Sequence, residues 1–287
     1  MSATTADGHG GGTAGTGGPK ESAAYWTVSD CLVMTRRYLL NALRMPDVLM
    51  FTMMQPLLFV LLFSYVFGNA IPLPDGGSYR EYVIVGIFVQ TVAFAGMTTG
   101  AGLADELGKG LVDRFRSLPM TSAAVLVGRT VSDVARNALT ILLMVGLALL
   151  VGWRTHSSPL DVLAGFALLL LFAFVMSWVG TVLGLVVPKP EAAISASMGV
   201  VFPVVWLSNA FVPVDGMLPW MQTVTTWNPV SSVVVAIRQL LGNPNPVGEN
   251  PGVTLGSPVA AALLWSLALL LVSAPLAARL YRRKVAR

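Results

Sequence analysis

The glycine–lysine stretches are the first residues of the sequence that could take part in chemistry, because a lysine after a glycine-rich loop can bind phosphate. A phosphate-binding loop reads G-x-x-x-x-G-K-[ST]. The sequence has GGPKES at 17–22 and LGKGL at 107–111, and neither satisfies that pattern. Cys31 is the only cysteine, so neither an internal disulfide nor a thiolate metal cluster is possible. His9 and His156 belong to no cluster with metal-ligand spacing. We therefore predict no catalytic, cofactor-binding or metal-binding residue in this chain.

The segment 105–118 is the most highly charged part of an apolar region. On a helical wheel it has one apolar stripe, formed by Leu107, Leu111, Phe115 and Leu118. Most of its charged residues cluster on the other side. Pro119 ends the helix, because the residue before a proline avoids the α conformation. The pattern predicts a short amphipathic helix over 105–118.

This amphipathic helix could serve only as a connector at a membrane surface. Its mixed charge fits a protein partner better than anionic lipid, which would favour a purely basic face. We therefore interpret it as a docking helix. Its candidate docking residues are Asp105, Glu106, Lys109, Asp113, Arg114, Phe115 and Arg116.

The overall composition indicates that lipid is the main solvent of this chain. Of its 287 residues, 55% are hydrophobic and only 11% are charged. A soluble domain has roughly a quarter charged residues, because its surface needs them. A chain of this composition cannot cover a water-facing surface, so we predict a membrane protein in contact with the lipid bilayer.

Six segments are long and apolar enough to cross a membrane, for which a helix needs about 20 residues. They lie at approximately 48–68, 82–104, 131–152, 160–187, 192–214 and 258–278. Their middles are free of charge, which favours helices over the strands of a barrel. The predicted fold class is all-α, a polytopic membrane protein with six transmembrane helices. A seventh candidate, 231–241, is short and contains Arg238.

The distribution of lysine and arginine orients the predicted spans. Basic residues near span ends favour the cytoplasmic side. With six spans and both termini in the cytoplasm, only Arg80, Arg154 and Arg238 lie outside, and the other 15 of the 18 basic residues lie inside. Topology therefore explains the net charge of +4. Nucleic acid is not a predicted partner.

Two segments precede the first span. Residues 1–24 are rich in glycine, lack the apolar core of a signal peptide, and are predicted to form a disordered cytoplasmic tail. Residues 25–44 have the pattern of an amphipathic helix along the inner membrane face. This helix anchors the first span and could also contact the partner of the docking helix.

The predicted spans carry no ionisable side chain in their interiors. Ion-driven carriers usually keep such groups deep in the membrane, so proton or sodium coupling is disfavoured. The energy for transport would then come from another subunit, bound at 105–118. Two motifs, GMTTG at 96–100 and GTVLG at 180–184, allow close helix contacts within the chain or between copies.

Two stretches resemble a known family. GLVDRFRSLPMTSAAVLVGRTVSD, at 110–133, resembles the signature loop of type-2 ABC transporter permeases. SNAFVPVDGMLPWMQTVTTWNPVSSVVVAIRQLLGNP, at 208–244, is similar to the daunorubicin-resistance branch of that family. The resemblance runs from about Tyr25 to the C-terminus and leaves only the glycine-rich tail unmatched.

The resemblance implies a six-span permease domain at 45–287, in a bacterial inner or plasma membrane. It implies a connecting helix at 25–44, a coupling helix at 105–118 and an outer re-entrant region at 215–241. The implied partners are a second permease subunit, identical or related, and two copies of an ABC ATP-binding subunit. ATP and magnesium would bind in that partner subunit, so the chain would not be an enzyme alone.

In the family, the second and fifth spans commonly form the translocation path. Carried over to this sequence, the resemblance nominates Gln90, Thr91, Phe94, Thr98, Phe202, Trp206 and Asn209. Ordinary helix packing would also explain each of them. The implied function is efflux of a hydrophobic or amphipathic compound, of the antibiotic or drug type. Export of a lipid-linked or polysaccharide substrate and a non-transporting membrane scaffold remain the alternatives.

Overall fold

The computed structural model describes residues 46–68, 70–73, 76–108, 122–187, 189–246 and 257–285. Helices dominate this part of the chain, and no strand occurs in it, so the predicted all-α class is confirmed. The tail at 1–24 and the predicted connecting helix at 25–44 lie outside the described residues.

Within the described ranges the chain forms eight α-helices. They are α1 Pro46–Leu61, α2 Tyr79–Gly108, α3 Ser122–Leu150, α4 Pro159–Val186, α5 Pro190–Trp206, α6 Pro219–Thr226, α7 Pro229–Leu241 and α8 Pro258–Val285. A π-helical turn, Leu62–Val66, continues α1, and a 3-10 turn, Val214–Gly216, precedes α6. Six of these helices begin with a proline at the first position, where a backbone N–H would have no intrahelical partner.

Four helices of the described residues, α2, α3, α4 and α8, are long and apolar enough to cross a membrane. The predicted spans at 48–68 and 192–214 correspond to shorter apolar helices. The fifth predicted span is not helical to its end, because α5 ends at Trp206 and the chain continues as a turn. These helices are consistent with the predicted membrane protein, whereas the count of six spans stays a prediction.

Helix α2 lies at the centre of the fold and packs against α4, α5 and α7. In the most apolar stretch of α2, 72% is buried inside the molecule, compared with 22% in the most apolar stretch of α8. Its stretch from Tyr82 to Val89 is buried throughout. Helix α8 instead exposes leucine and valine side chains along one side, as a helix facing lipid does.

The two glycine motifs form the crossing of α2 and α4. A Cβ added to Gly96 would overlap the Met176 carbonyl, and one added to Gly180 would overlap the Gly96 carbonyl. One turn further along, Gly184 lies in the same way against Gly100. Only residues without side chains let two backbones approach this closely. The motifs therefore make a helix contact within the chain.

Candidate functional site

The turn at 207–213, directly after α5, is where the structure concentrates polar contacts. The last carbonyls of a helix have no intrahelical partner. Where such groups are buried away from water, they must bind other protein groups. Here side chains from α2, α6, α7 and the residue before α7 donate to the carbonyls of Leu207, Asn209, Ala210 and Phe211.

Arg238 of α7 provides two of the donors to this turn, Nη1 and Nη2, and is fully buried, with 0% of its surface exposed. Its Nε and Nη2 donate to the Tyr82 carbonyl at 3.1 and 2.9 Å. Its Nη1 donates to the Asn209 carbonyl at 3.1 Å, and Nη2 also donates to the Ala210 carbonyl at 3.0 Å. The guanidinium carbon lies 3.4 Å from the centroid of the Tyr82 ring, a cation–π contact. In the described part of the chain no carboxylate forms an ion pair with it.

The first turn of α2 holds the same turn from the other side. The Tyr79 hydroxyl donates to the Phe211 carbonyl at 2.8 Å, and the Tyr82 hydroxyl donates to the Asn209 carbonyl at 2.6 Å. Gly86 lies against the Ala210 backbone, where a Cβ would overlap the carbonyl oxygen. We call Tyr79, Tyr82, Arg238 and the turn 207–211 the outer joint, because the predicted topology places them on the outer side.

Asn228 connects the end of α5 to the start of α7. Its Nδ2 donates to the carbonyls of Val204 and Leu207 at 2.6 and 3.0 Å. Its Oδ1 accepts from the Val230 N–H at 2.9 Å and so caps α7. A single side chain thus satisfies backbone groups at two helix ends.

We expect Asn228→Ala to destabilise the protein by about 2 kcal/mol, because it removes a cap and two buried donors together. The change is measured as a shift in melting temperature in detergent, with gel filtration after heating as the readout of folded protein. The matched variant Asn228→Ser keeps a neutral capping oxygen but loses the amide donors, so it should lie between Asn228→Ala and the wild type. Equal melting temperatures for all three proteins would contradict the role given to Asn228.

A cluster of aromatic rings connects the first apolar segment to the end of α5. Phe59 meets Trp206 and Phe211 edge to face, with ring centroids 6.4 and 6.3 Å apart. Phe63 stacks on Phe211 at 5.0 Å, and Trp206 stacks on Phe211 at 4.9 Å. Such pairs add to the stabilisation from apolar burial. Phe211 is the centre of this cluster, and its carbonyl is held by Tyr79.

The four candidate path residues on α2 have different surroundings. Gln90 is buried, and its Nε2 has no hydrogen-bond partner among the described residues. The Thr91 hydroxyl donates to the Ile87 carbonyl at 2.8 Å, and Phe94 packs against the core. Thr98 is exposed, and its hydroxyl accepts from Arg136 Nη2 at 3.1 Å.

Of the other three candidates, Phe202 and Trp206 lie in the last turns of α5, and Asn209 lies in the turn that follows. Phe202 and Trp206 expose their rings, whose centroids are 5.5 Å apart. Asn209 is buried, and neither its Oδ1 nor its Nδ2 has a partner in the described part of the chain. No hydrogen bond or ring contact between described residues joins this group to the four on α2, so the path they would form stays a prediction.

The predicted docking segment is described only at its start. Asp105 and Glu106 lie in the last turns of α2, which runs without a break to Gly108. The helix predicted to begin at 105 is therefore, in this part, the end of α2, because residues 103–107 contain no helix breaker. The remaining docking candidates, Lys109, Asp113, Arg114, Phe115 and Arg116, lie outside the described residues.

Arg238 and the two tyrosines were not predicted as site residues. In the sequence, Arg238 stood out only as one of three basic residues on the predicted outer side and as the charge in the short segment 231–241. A signal was present, since a single charge in the apolar stretch SSVVVAIRQLL is costly unless it has a buried partner. The partners, however, are backbone carbonyls, which cannot be identified from residue types because every residue has one.

The chain is similar to proteins of one family. Residues 29–241 match the family model described as "ABC-2 type transporter". Daunorubicin resistance ABC transporter permease protein DrrB1 of Streptomyces coeruleorubidus is 34% identical over 257 residues, which cover 90% of this chain and 87% of that protein. A protein of Mycobacterium tuberculosis named "Probable doxorubicin resistance ABC transporter permease protein DrrC" is 25% identical over 266 residues, 92% of each chain.

Proposed function

The chain belongs to the ABC-2 type transporter family, and from this membership we propose that it is the permease subunit of an ATP-binding cassette exporter. The exported compound is hydrophobic or amphipathic and of the drug or antibiotic type. The observation that carries this proposal is the 34% identity, over 90% of the chain, to a permease named for daunorubicin resistance. The similarity to DrrC, named for doxorubicin resistance, supports the same class of substrate.

The energy source of the proposed exporter is a separate ATP-binding subunit, present in two copies, which binds ATP and magnesium. A second permease, identical or related, completes the complex. The sequence supports this division of labour, because neither of its glycine–lysine stretches matches a phosphate-binding loop. The docking segment 105–118 is the proposed contact with the ATP-binding subunit. The complex lies in a bacterial inner or plasma membrane, with both termini in the cytoplasm.

The proposed permease crosses the membrane six times. Helices α2, α3, α4 and α8 provide four spans by length and composition, and the shorter α1 and α5 provide the other two. Helices α6 and α7 have 8 and 13 residues, too few to cross a bilayer. They form the proposed outer re-entrant region between α5 and α8. The path runs along α2 and α5, where Phe202 and Trp206 offer an apolar wall to an amphipathic compound.

The proposed function is tested in inside-out membrane vesicles that contain the permease with the ATP-binding subunit that copurifies with it. We expect ATP-dependent accumulation of doxorubicin, which its own fluorescence measures. We expect no accumulation with a non-hydrolysable ATP analogue. Copurification without any nucleotide-binding subunit would contradict the exporter proposal. Accumulation of a lipid-linked sugar in place of doxorubicin would contradict the substrate class alone.

Charge reversal in the docking segment should abolish transport. We expect Glu106→Lys and Arg114→Glu to reduce ATP-dependent accumulation at least about tenfold, because like charges then face each other at the contact with the ATP-binding subunit. Membrane insertion and the amount of permease should not change. Arg283→Glu, at an exposed position near the end of α8, is the matched control. Normal transport by both docking variants would rule out this role of the segment.

A further inference from the structure

The outer joint contains a buried permanent charge, the guanidinium of Arg238, which protein stability alone does not require. Replacing a buried ionic group by apolar residues of similar volume is often neutral or stabilising. Arg238 nevertheless lies fully buried and forms four hydrogen bonds to three backbone carbonyls. These bonds determine where the acceptors lie relative to one another. The geometry therefore indicates a role in position as well as in stability.

The acceptors belong to two elements that are far apart in sequence. The Tyr82 carbonyl belongs to α2, whereas the carbonyls of Asn209 and Ala210 belong to the turn after α5. A guanidinium group presents five N–H donors in one rigid plane and can bind such a set at once, which a lysine ammonium on its flexible stem cannot match. Arg238 thereby holds the turn against α2 at one separation and one angle.

Two of the groups positioned in this way, Trp206 and Asn209, belong to the proposed path. Trp206 is the last residue of α5, and its ring stacks on Phe211, whose carbonyl is bound by Tyr79. Asn209 places both of its amide atoms in a buried space without a partner among the described residues. A rotation of the turn would move all three side chains together.

We propose that Arg238 is a positioning residue for transport, because it holds the turn 207–211 on α2 and so sets the places of Trp206 and Asn209 in the path. This inference rests on the proposed function. It assigns to Arg238 no contact with the transported compound.

The first test measures the turn itself and needs no substrate. In a Cys31→Ser background, Ala210→Cys and Ala193→Cys each place one thiol at a fully buried position, at the turn and at the inner part of α5 respectively. With Arg238→Met added, we expect maleimide labelling of position 210 to be about tenfold faster and that of position 193 to stay unchanged, since only the turn loses buried donors. Arg154→Met removes an exposed outer arginine and should change neither rate.

The second test measures transport by the complete complex in vesicles. We expect Arg238→Met to raise the KM for doxorubicin about tenfold while ATP hydrolysis per complex stays within about twofold of the wild type, because binding and not hydrolysis is altered. Arg154→Met should keep the wild-type KM. If Arg238→Met does not insert, Arg238→Lys takes its place in both tests, because it keeps the charge but loses the planar donor set.

The outcomes separate the two proposals. Faster labelling at both positions would make Arg238 a general stabiliser and overturn the inference, as would unchanged labelling at position 210. Faster labelling at position 210 alone, with an unchanged KM, would overturn the link to the path. A wild-type complex that transports nothing would contradict the proposed function, and the labelling rates would still decide whether Arg238 holds the turn.

Discussion

Gly180→Val should leave little folded permease. The Gly180 Cα faces the Gly96 backbone, and any Cβ at this position overlaps the Gly96 carbonyl oxygen. Because both sides of the contact are backbone, no side-chain rotation relieves the overlap, and α2 and α4 must separate. We expect a loss of at least about 3 kcal/mol, at the upper end for overpacked sites. Fluorescence-detected gel filtration of the solubilised protein should show loss of the monodisperse peak.

Gly146→Val is the matched control for Gly180→Val. Gly146 also lies in an apolar helix, α3, but a Cβ there meets no atom within 4 Å. The two variants carry the same added side chain and the same change in helix propensity. A gel-filtration profile equal to that of the wild type is expected for Gly146→Val. Loss of both proteins to the same degree would show that the glycine crossing is not the cause.

Trp153→Ala should be the other strongly destabilising substitution, by about 3–5 kcal/mol, as for large aromatic side chains in cores. Trp153 is only 1% exposed and contacts the Phe88 ring edge to face, with centroids 5.4 Å apart. Its Nε1 donates to Asn243 Oδ1 at 3.2 Å, which connects the loop after α3 to the end of α7. The substitution therefore leaves a cavity and also separates these two segments. A thermal unfolding scan in detergent measures the effect.

Trp220→Ala removes the same side chain from a position that is 59% exposed, so it should change the unfolding temperature little. Trp153→Phe keeps most of the ring volume but loses the hydrogen bond to Asn243. It should therefore lie between the alanine variant and the wild type. An equal shift for Trp153→Ala and Trp220→Ala would contradict the burial assigned to Trp153.

In the proposed permease, α2 connects the two ends of the molecule. Its first turn carries the tyrosines of the outer joint, and its last turn begins the docking segment. With 30 residues it is about 45 Å long, at 1.5 Å per residue. Its middle is packed against α4 through the glycine crossing. A movement imposed at the docking segment would therefore reach the outer joint through one continuous helix.

The sequence by itself determined the all-α class, the membrane environment and the positions of the long apolar helices. These features follow from local composition, because a span needs an uninterrupted apolar run and a helix end needs a breaker or a cap. The same reasoning recognised that residues 231–241 are too short to cross a membrane, and α7 has 13 residues. The family resemblance is likewise carried by contiguous stretches.

Only the tertiary structure decided which distant groups meet. It paired the two glycine motifs with each other, ended α5 at Trp206, and buried Arg238 among the carbonyls of Tyr82, Asn209 and Ala210. The physical reason is that these contacts use backbone atoms, which every residue possesses. Residue types reveal where burying a charge costs free energy. The packing of helices decides which carbonyls lie close enough to accept hydrogen bonds from it.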